Sequence, residues 1–154
     1  MKEITYLKIR KNLFLFLAGF GLDRLAKYLI LHSSGNIYLT SWLSFDITIN
    51  RGIAWGLFHT ASTLGFMLIV GAIGLLITAL VGYATWQIRQ GKFAAQEMLI
   101  LAGAISNLLD RLIYSGVIDF IHIRIAGWSF PIFNVADILI VIGAVWILLA
   151  HDDQ

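Results

Sequence analysis

The 154-residue chain contains no cysteine, and only 13% of its residues are charged. The first absence excludes a disulfide framework, a thiolate nucleophile and any cysteine-ligated metal. The second excludes an ordinary soluble domain, in which about 25% of residues are charged and about 45–50% apolar. Other signatures are missing too. No G-x-S-x-G elbow or phosphate-cradling glycine loop is present, so serine-hydrolase and nucleotide chemistry lack a sequence basis. His32, His59, His122 and His151 show no metal-ligand spacing and no H-E-x-x-H. Neither metal nor cofactor is expected, and no nucleic-acid partner. There is no internal repeat, low-complexity tract or linker.

What is present is hydrocarbon. Apolar residues make up 59% of the chain, and its mean hydropathy is +0.84. The length suits one domain, residues 1–154. A helical span needs roughly 20 residues, so four spans fit, over about residues 12–31, 61–86, 94–114 and 133–150. The first follows Lys2, Lys8, Arg10 and Lys11 and resembles a signal peptide at its start. It continues through Asp23, Arg24 and Lys27 without a small-x-small cleavage site, so a retained span is expected. Lys and Arg near the span ends set the orientation. The N-terminal stretch and the 87–93 loop carry six, whereas the two opposite loops carry only Arg51 and Arg124. Both termini and the 87–93 loop are therefore expected in the cytoplasm, and residues 32–60 and 115–132 outside.

The outer segments read as structured. Residues 45–50, FDITIN, alternate apolar and polar as a half-buried strand does. Ile121, Ile123 and Ile125 alternate with His122 and Arg124, and Ala126-Gly127-Trp128 offers a turn. Trp42, Trp55 and Trp128 suit an aromatic belt. A small sheet resting on the outer surface follows. His122 reads as an interfacial histidine.

Asp119 and Asp137 lie 18 positions apart (137 − 119 = 18), at facing ends of neighbouring apolar segments. A charge in hydrocarbon costs at least ~2.5–3.5 kcal/mol, and two carboxylates at one depth suggest acid/base chemistry. Held close without a cation, they share one proton, as in aspartic proteases, where one activates water and the other protonates the carbonyl. A plainer reading is that each caps a helix end, Asp137 lying in the first turn of its helix. Asn107 falls beside Asp110 and Arg111 on one helix face, and Asn134 beside Asp137. Asp110 and Arg111 are candidates to neutralise one another or other buried charges. Asp23 and Lys27, four apart, read as a structural ion pair, with Arg24 pointing elsewhere and snorkelling. The run Asn50-Arg51-Gly52-Ile53-Ala54-Trp55-Gly56 reads as ordinary turn chemistry when taken alone. A rival function remains, a proton-coupled transporter using Asp110, Asp119 and Asp137 as relay sites.

Five blocks in order give the chain a close resemblance to the lipoprotein signal peptidase (signal peptidase II) family. They are Asp23-Arg-Leu-Ala-Lys27, Asn50-Arg-Gly52-Ile-Ala54-Trp55-Gly56, Gly103-Ala-Ile-Ser-Asn107-Leu-Leu-Asp110-Arg111, Gly116-Val-Ile-Asp119-Phe120 and Phe130-Pro131-Ile-Phe133-Asn134-Val-Ala136-Asp137. The resemblance implies a mainly α membrane protein, with four transmembrane helices and a small extracytoplasmic β-cradle. It implies an aspartic endopeptidase with Asp119 and Asp137 as catalytic dyad. Asn50, Gly52, Asn107, Arg111 and Asn134 would line or brace the substrate site, with Asp23, Lys27, Asp110 and Ala136 in support. It further implies diacylglyceryl-modified prolipoprotein substrates cut before the lipidated cysteine, contact with membrane phospholipid, and inhibition by globomycin-type peptides. The location implied is the bacterial inner membrane, with the active site at the outer leaflet. Two departures stand out: Ala26 where Ser or Thr is usual, and Ser106 where Gly is usual. Ser106 is expected to shift helix spacing slightly. The resemblance also adds a second rival function, a non-catalytic relative that binds lipoproteins or scaffolds a complex.

Overall fold

The computed structural model describes residues 2–52 and 62–151. They form four helices, α1 (Lys2–Leu31), α2 (Thr63–Arg89), α3 (Ala95–Tyr114) and α4 (Val135–His151). Between them lie four short strands, β1 (Ile37–Tyr38), β2 (Leu43–Asn50), β3 (Val117–Ile125) and β4 (Trp128–Ser129), joined antiparallel in the order β1-β2-β3-β4. Ala54, Trp55, Gly56 and His59 fall outside the described residues.

The helices invert the usual arrangement of a water-soluble bundle. Asp23, Lys27, Ser106 and Asp110 are wholly buried between them. The outward surface is Leu64, Leu68, Leu75 and Leu76 on α2 and Val141, Leu148 and Leu149 on α4, all more than half exposed. Polar residues inside and contiguous leucine outside suit a hydrocarbon solvent. Among the described residues α2 is the one helix long and apolar enough to cross a membrane by composition, with a mean hydropathy of 2.6 over its best window. α4 is a shorter apolar helix, and the runs of α1 and α3 are broken by their charges.

α3 is the hub, packed against all three other helices. Its approach to α4 is close because both carry glycine at the crossing. A Cβ on Gly103 would collide with the Ala136 carbonyl, and one on Gly143 would come within 2.6 Å of the Gln96 carbonyl. Small residues permit such backbone contact. Asn12 of α1 supplies the cap that Ala94 cannot: its Oδ1 accepts from the Ala94 N–H at 3.1 Å.

The sheet is anchored to the bundle by a sharp reversal. α3 ends at Ser115 in the left-handed region (φ 56°), and β3 begins two residues later. Ile118 then donates its N–H to Asp110 Oδ2 at 3.2 Å, and Ile118 and Phe120 pack on Ile30 of α1. The predicted outer strands are present, with one difference. Phe45 pairs with Ile121 but Thr48 with Asp119, so β2 holds one extra residue, a β-bulge. The bulge resets the alternation read from the sequence. Ser44 is buried, while Ile47 and Ile49 are 38% and 43% exposed. Ala126 and Gly127, both at positive φ (50° and 82°), make the expected hairpin turn into β4.

Candidate active site

Asp119 lies on β3 and Asp137 in the first turn of α4. They meet because the chain before α4 is laid against β3. Phe120 and Ile121 donate their N–H groups to the Phe133 carbonyl at 3.0 and 2.7 Å, and Phe133 donates back to the Ile121 carbonyl at 3.1 Å. Asn134, next in sequence, is thereby fixed beside Asp119.

Asn134 serves both carboxylates. Its Nδ2 donates to Asp119 Oδ1 at 2.6 Å, while its Oδ1 accepts from the Asp137 N–H at 2.9 Å. Asp137 Oδ2 in return accepts from the Asn134 N–H at 3.2 Å. This reciprocal pair is a capping box. The helix-cap reading of Asp137 is therefore correct, and it uses one carboxylate oxygen. The other, Oδ1, accepts from Asn107 Nδ2 at 2.9 Å. Asp119 Oδ2 accepts from Asn50 Nδ2 at 3.0 Å, a diagonal cross-strand contact made possible by the bulged register. All four carboxylate oxygens thus receive amide N–H groups, and no guanidinium or ammonium bonds either carboxylate directly among the described residues.

The nearby cations are engaged elsewhere. Lys27, fully buried, pairs with Asp23 at 2.8 Å and Asp110 at 2.7 Å, and it donates to Asn107 Oδ1 at 2.8 Å. That last bond fixes the Asn107 amide so that its Nδ2 faces Asp137. The expected Asp23–Lys27 pair is present, and of the two alternatives for Asp110 it is the neutralisation of other buried charges that is seen, with Lys27 and Arg24. Arg24 does not snorkel: it crosses to α3 and binds Asp110 at 2.6 Å and the Ser106 carbonyl at 3.2 Å. Asp110 and Arg111 do not neutralise each other. Arg111 donates to the Asn107 and Gly52 carbonyls at 3.2 and 2.8 Å, holding down the end of β2. Gly52 N–H in turn donates to Asn50 Oδ1 at 2.9 Å, which orients that amide toward Asp119. Two anions, Asp23 and Asp110, balance two cations, Lys27 and Arg24.

Burial, followed by the charge of Asp137, raises the Asp119 pKa from the ordinary carboxylate value to about 7, against the opposing bonds from Asn50 and Asn134. Asp119 is only 3% exposed. The site therefore pairs a carboxylic acid whose pKa is raised toward neutrality with a second carboxylate, both bonded by Asn134, the first through its side-chain amide and the second through its backbone N–H, an arrangement able to activate water and protonate a carbonyl.

The structure brings together Asn50, Gly52, Asn107, Arg111, Asn134, Asp119 and Asp137, with Asp23, Lys27 and Asp110 behind them. Ala136 contributes its N–H, which donates to Asp23 Oδ1 at 2.8 Å, tying α4 to α1 one residue before Asp137. Ser106, expected only to adjust helix spacing, donates its hydroxyl to Asp23 Oδ2 at 2.6 Å. The sequence holds no signal for that bond or for Arg24–Asp110, because each joins residues more than 80 positions apart (106 − 23 = 83; 110 − 24 = 86). His122 is bonded on both ring nitrogens, to Asp46 and Ser129.

The sequence pattern described as signal peptidase (SPase) II matches residues 15–151. Proteins named lipoprotein signal peptidase are similar over most of their length. The one from Methylorubrum extorquens is 33% identical over 147 residues, covering 91% of this chain and 84% of its own. That from Burkholderia ambifaria is 38% identical over 135 residues (85% and 80%), and that from Pelagibacter ubique 35% over 158 residues (98% and 93%). A bacterial membrane enzyme solved by the in meso method at 2.3 Å resolution shares the fold with a TM-score of 0.75 and 27% identity, over 94% of this chain and 89% of its own. A second such structure, at 1.9 Å, gives 0.73 and 27% over 93% of each chain. With its four helices, its bulged sheet and its paired aspartates, the chain belongs to the signal peptidase II family.

Proposed function

We propose that the chain is an aspartic endopeptidase that removes the signal peptide from diacylglyceryl-modified prolipoproteins, cutting just before the lipidated cysteine. The observation that carries this reading is the pair Asp119 and Asp137 joined through Asn134, with Lys27, Arg24 and Arg111 committed to other partners. Membership of the family and the printed names of the relatives support the substrate class.

In this mechanism Asp137, held by Asn107 and the Asn134 N–H, takes a proton from water as that water attacks the scissile carbonyl. Asp119 donates its proton to the carbonyl oxygen, and the tetrahedral intermediate collapses with proton return to the leaving amine. The neutral Asp119 is the form expected below its pKa of about 7. Asn50 and Asn134 orient the acid, and Asn107 orients the base. Gly52, pinned by Arg111, offers backbone to an extended substrate beside β2. Asp23, Lys27 and Asp110 hold α1, α3 and α4 in the register that the dyad requires.

The same reading places all four helices across the bacterial inner membrane, with both termini cytoplasmic and the dyad at the outer leaflet. A diacylglyceryl substrate is cut there while its acyl chains stay among phospholipid. Purified protein in detergent, given a lipidated prolipoprotein and no ion gradient, is expected to release a signal peptide ending before the modified cysteine, and a globomycin-type peptide is expected to block it. Ion flux in proteoliposomes without such cleavage would overturn the proposal.

A further inference from the structure

A second group of polar side chains lies on the sheet, away from the dyad. Side chains along β3 point alternately to opposite faces, so His122 and Arg124 project from the face opposite Asp119. The register sets Ser44 against His122 and Arg124 against Ser129. Asp46 joins them two residues beyond Ser44. His122 Nδ1 lies 2.6 Å from Asp46 Oδ2, and His122 Nε2 lies 2.6 Å from Ser129 Oγ. Arg124 donates to Asp46 Oδ2 at 2.6 Å and to Ser44 Oγ at 3.1 Å, and its Nη2 is 2.8 Å from His122 Nδ1.

Proton placement follows from these partners. The hydrogen bond from His122 holds the Asp46 pKa below the ordinary carboxylate value, partly opposed by burial, with Ser44 and Arg124 reinforcing it. Asp46 is thus an anion and an acceptor; in the tautomer with the proton on Nδ1, His122 donates to Asp46 and its Nε2 accepts from the Ser129 hydroxyl, with Arg124 Nη2 as a second donor beside Asp46. The imidazole and the carboxylate are mostly covered, each side chain 13% exposed, whereas Ser129 is exposed. Ser129 also lines an apolar cavity of about 450 Å3 with Trp128, Phe130, Pro131 and Phe133. An orienting acid, a base, an open hydroxyl and an apolar receptacle are the parts a nucleophilic serine needs.

We propose that Ser129, activated by His122 and Asp46, is a second catalytic site that accepts the acyl group of a fatty-acyl ester. Ser129 Oγ attacks the ester carbonyl carbon and its proton passes to His122 Nε2. The attack gives a tetrahedral intermediate. Collapse breaks the carbon–oxygen bond to the alcohol, which leaves with the proton from Nε2, and the acyl group remains on Ser129. Water, deprotonated by the same nitrogen, then releases the fatty acid. The Trp128–Phe133 cavity takes the acyl chain, and no G-x-S-x-G turn is required because the strand pair itself presents the serine. This chemistry is independent of Asp119 and Asp137.

The test uses the full chain in detergent with a fluorophosphonate probe and peptide mapping, alongside hydrolysis of p-nitrophenyl decanoate. Ser129 is expected to label faster than Ser41 and Ser33 of the same molecule. His122→Gln is expected to slow labelling and ester hydrolysis by about 10²–10⁴-fold, while Asp119→Asn retains both. No preference for Ser129 over Ser41 and Ser33 in the wild-type chain would overturn the proposal whether or not the variants fold. So would equal labelling in a folded His122→Gln. Loss of prolipoprotein cleavage in Asp119→Asn with Ser129 still labelled would support both sites separately.

Discussion

At the scale of single residues, the amides carry the site. Asn134 bonds Asp119 through one end of its side chain and caps the helix of Asp137 with the other, so it couples the two carboxylates without adding charge. Replacing it with alanine removes a cap worth about 1 kcal/mol and the bond to Asp119 Oδ1, leaving Asp119 held by Asn50 alone. Asn134→Ala should therefore show a modestly lower melting temperature but a cleavage rate lower by roughly 10²-fold, the cost typical of a misplaced catalytic group. Asp119 gives a pH prediction with a definite sign. Its folded pKa, about 7, lies above the ordinary carboxylate value of 3.8. The folded state then binds more protons than the unfolded one between those values, and stability is lost as pH rises through that window. Asp119→Asn should melt above wild type at pH 8 and approach it at pH 4, and wild-type kcat/KM should fall as pH rises past about 7. A melting difference that does not change with pH would refute the assignment. The candidate residues were legible in the sequence because Asp and Asn at the ends of apolar runs are costly and call for a reason. Their partners were not. Whether Arg24 snorkels or reaches Asp110 depends on where α3 lies, and no local pattern in α1 encodes that.

At the scale of elements, the dyad depends on how α4 is seated. Gly103 lets α3 touch the Ala136 backbone, and Asp23 receives the Ala136 N–H at 2.8 Å. Gly103→Ala should push the first turn of α4 away, lowering stability by about 1–3 kcal/mol and reducing cleavage out of proportion to the stability loss. Lys27→Met leaves Asp23 and Asp110 with less compensation in a fully buried place. A loss of about 3–5 kcal/mol is the usual consequence, read as a lower yield of folded protein and a lower melting temperature. Helix positions were legible from hydrocarbon runs because length and apolarity are local properties. The strand read at residues 45–50 was only half legible. Its alternation is real, but the bulge between Phe45 and Thr48 lets Asn50 share a face with Asp119, and a bulge is set by the partner strand rather than by β2 itself.

At the scale of the whole molecule, charge is confined to a neutral inner cluster and to the ends, while leucine and valine face outward. The two ends are unequal. Lys8, Arg10, Lys11, Arg89 and Lys92 lie toward one end, Arg51 and Arg124 toward the other. That asymmetry predicts that a cysteine introduced at Lys92 in the cysteine-free chain is labelled by an impermeant thiol reagent only after the cytoplasmic side is opened. One introduced at Trp128 should be labelled from outside, and labelling of both from one side would contradict the orientation. The family is that of a peptidase, and in the proposed orientation the two aspartates would stand at one level, where relay sites would be distributed through the bilayer.

The most direct test compares wild type, Asp119→Asn and Asp137→Asn on a diacylglyceryl-modified prolipoprotein in detergent, with folding verified by melting temperature. Asparagine keeps the shape of each side chain and removes its titrating proton. If the dyad acts as described, both variants fold and neither cleaves at a measurable rate. If either folded variant cleaves at near the wild-type rate, that aspartate is only a structural ligand of Asn134 and the two-carboxylate mechanism is wrong.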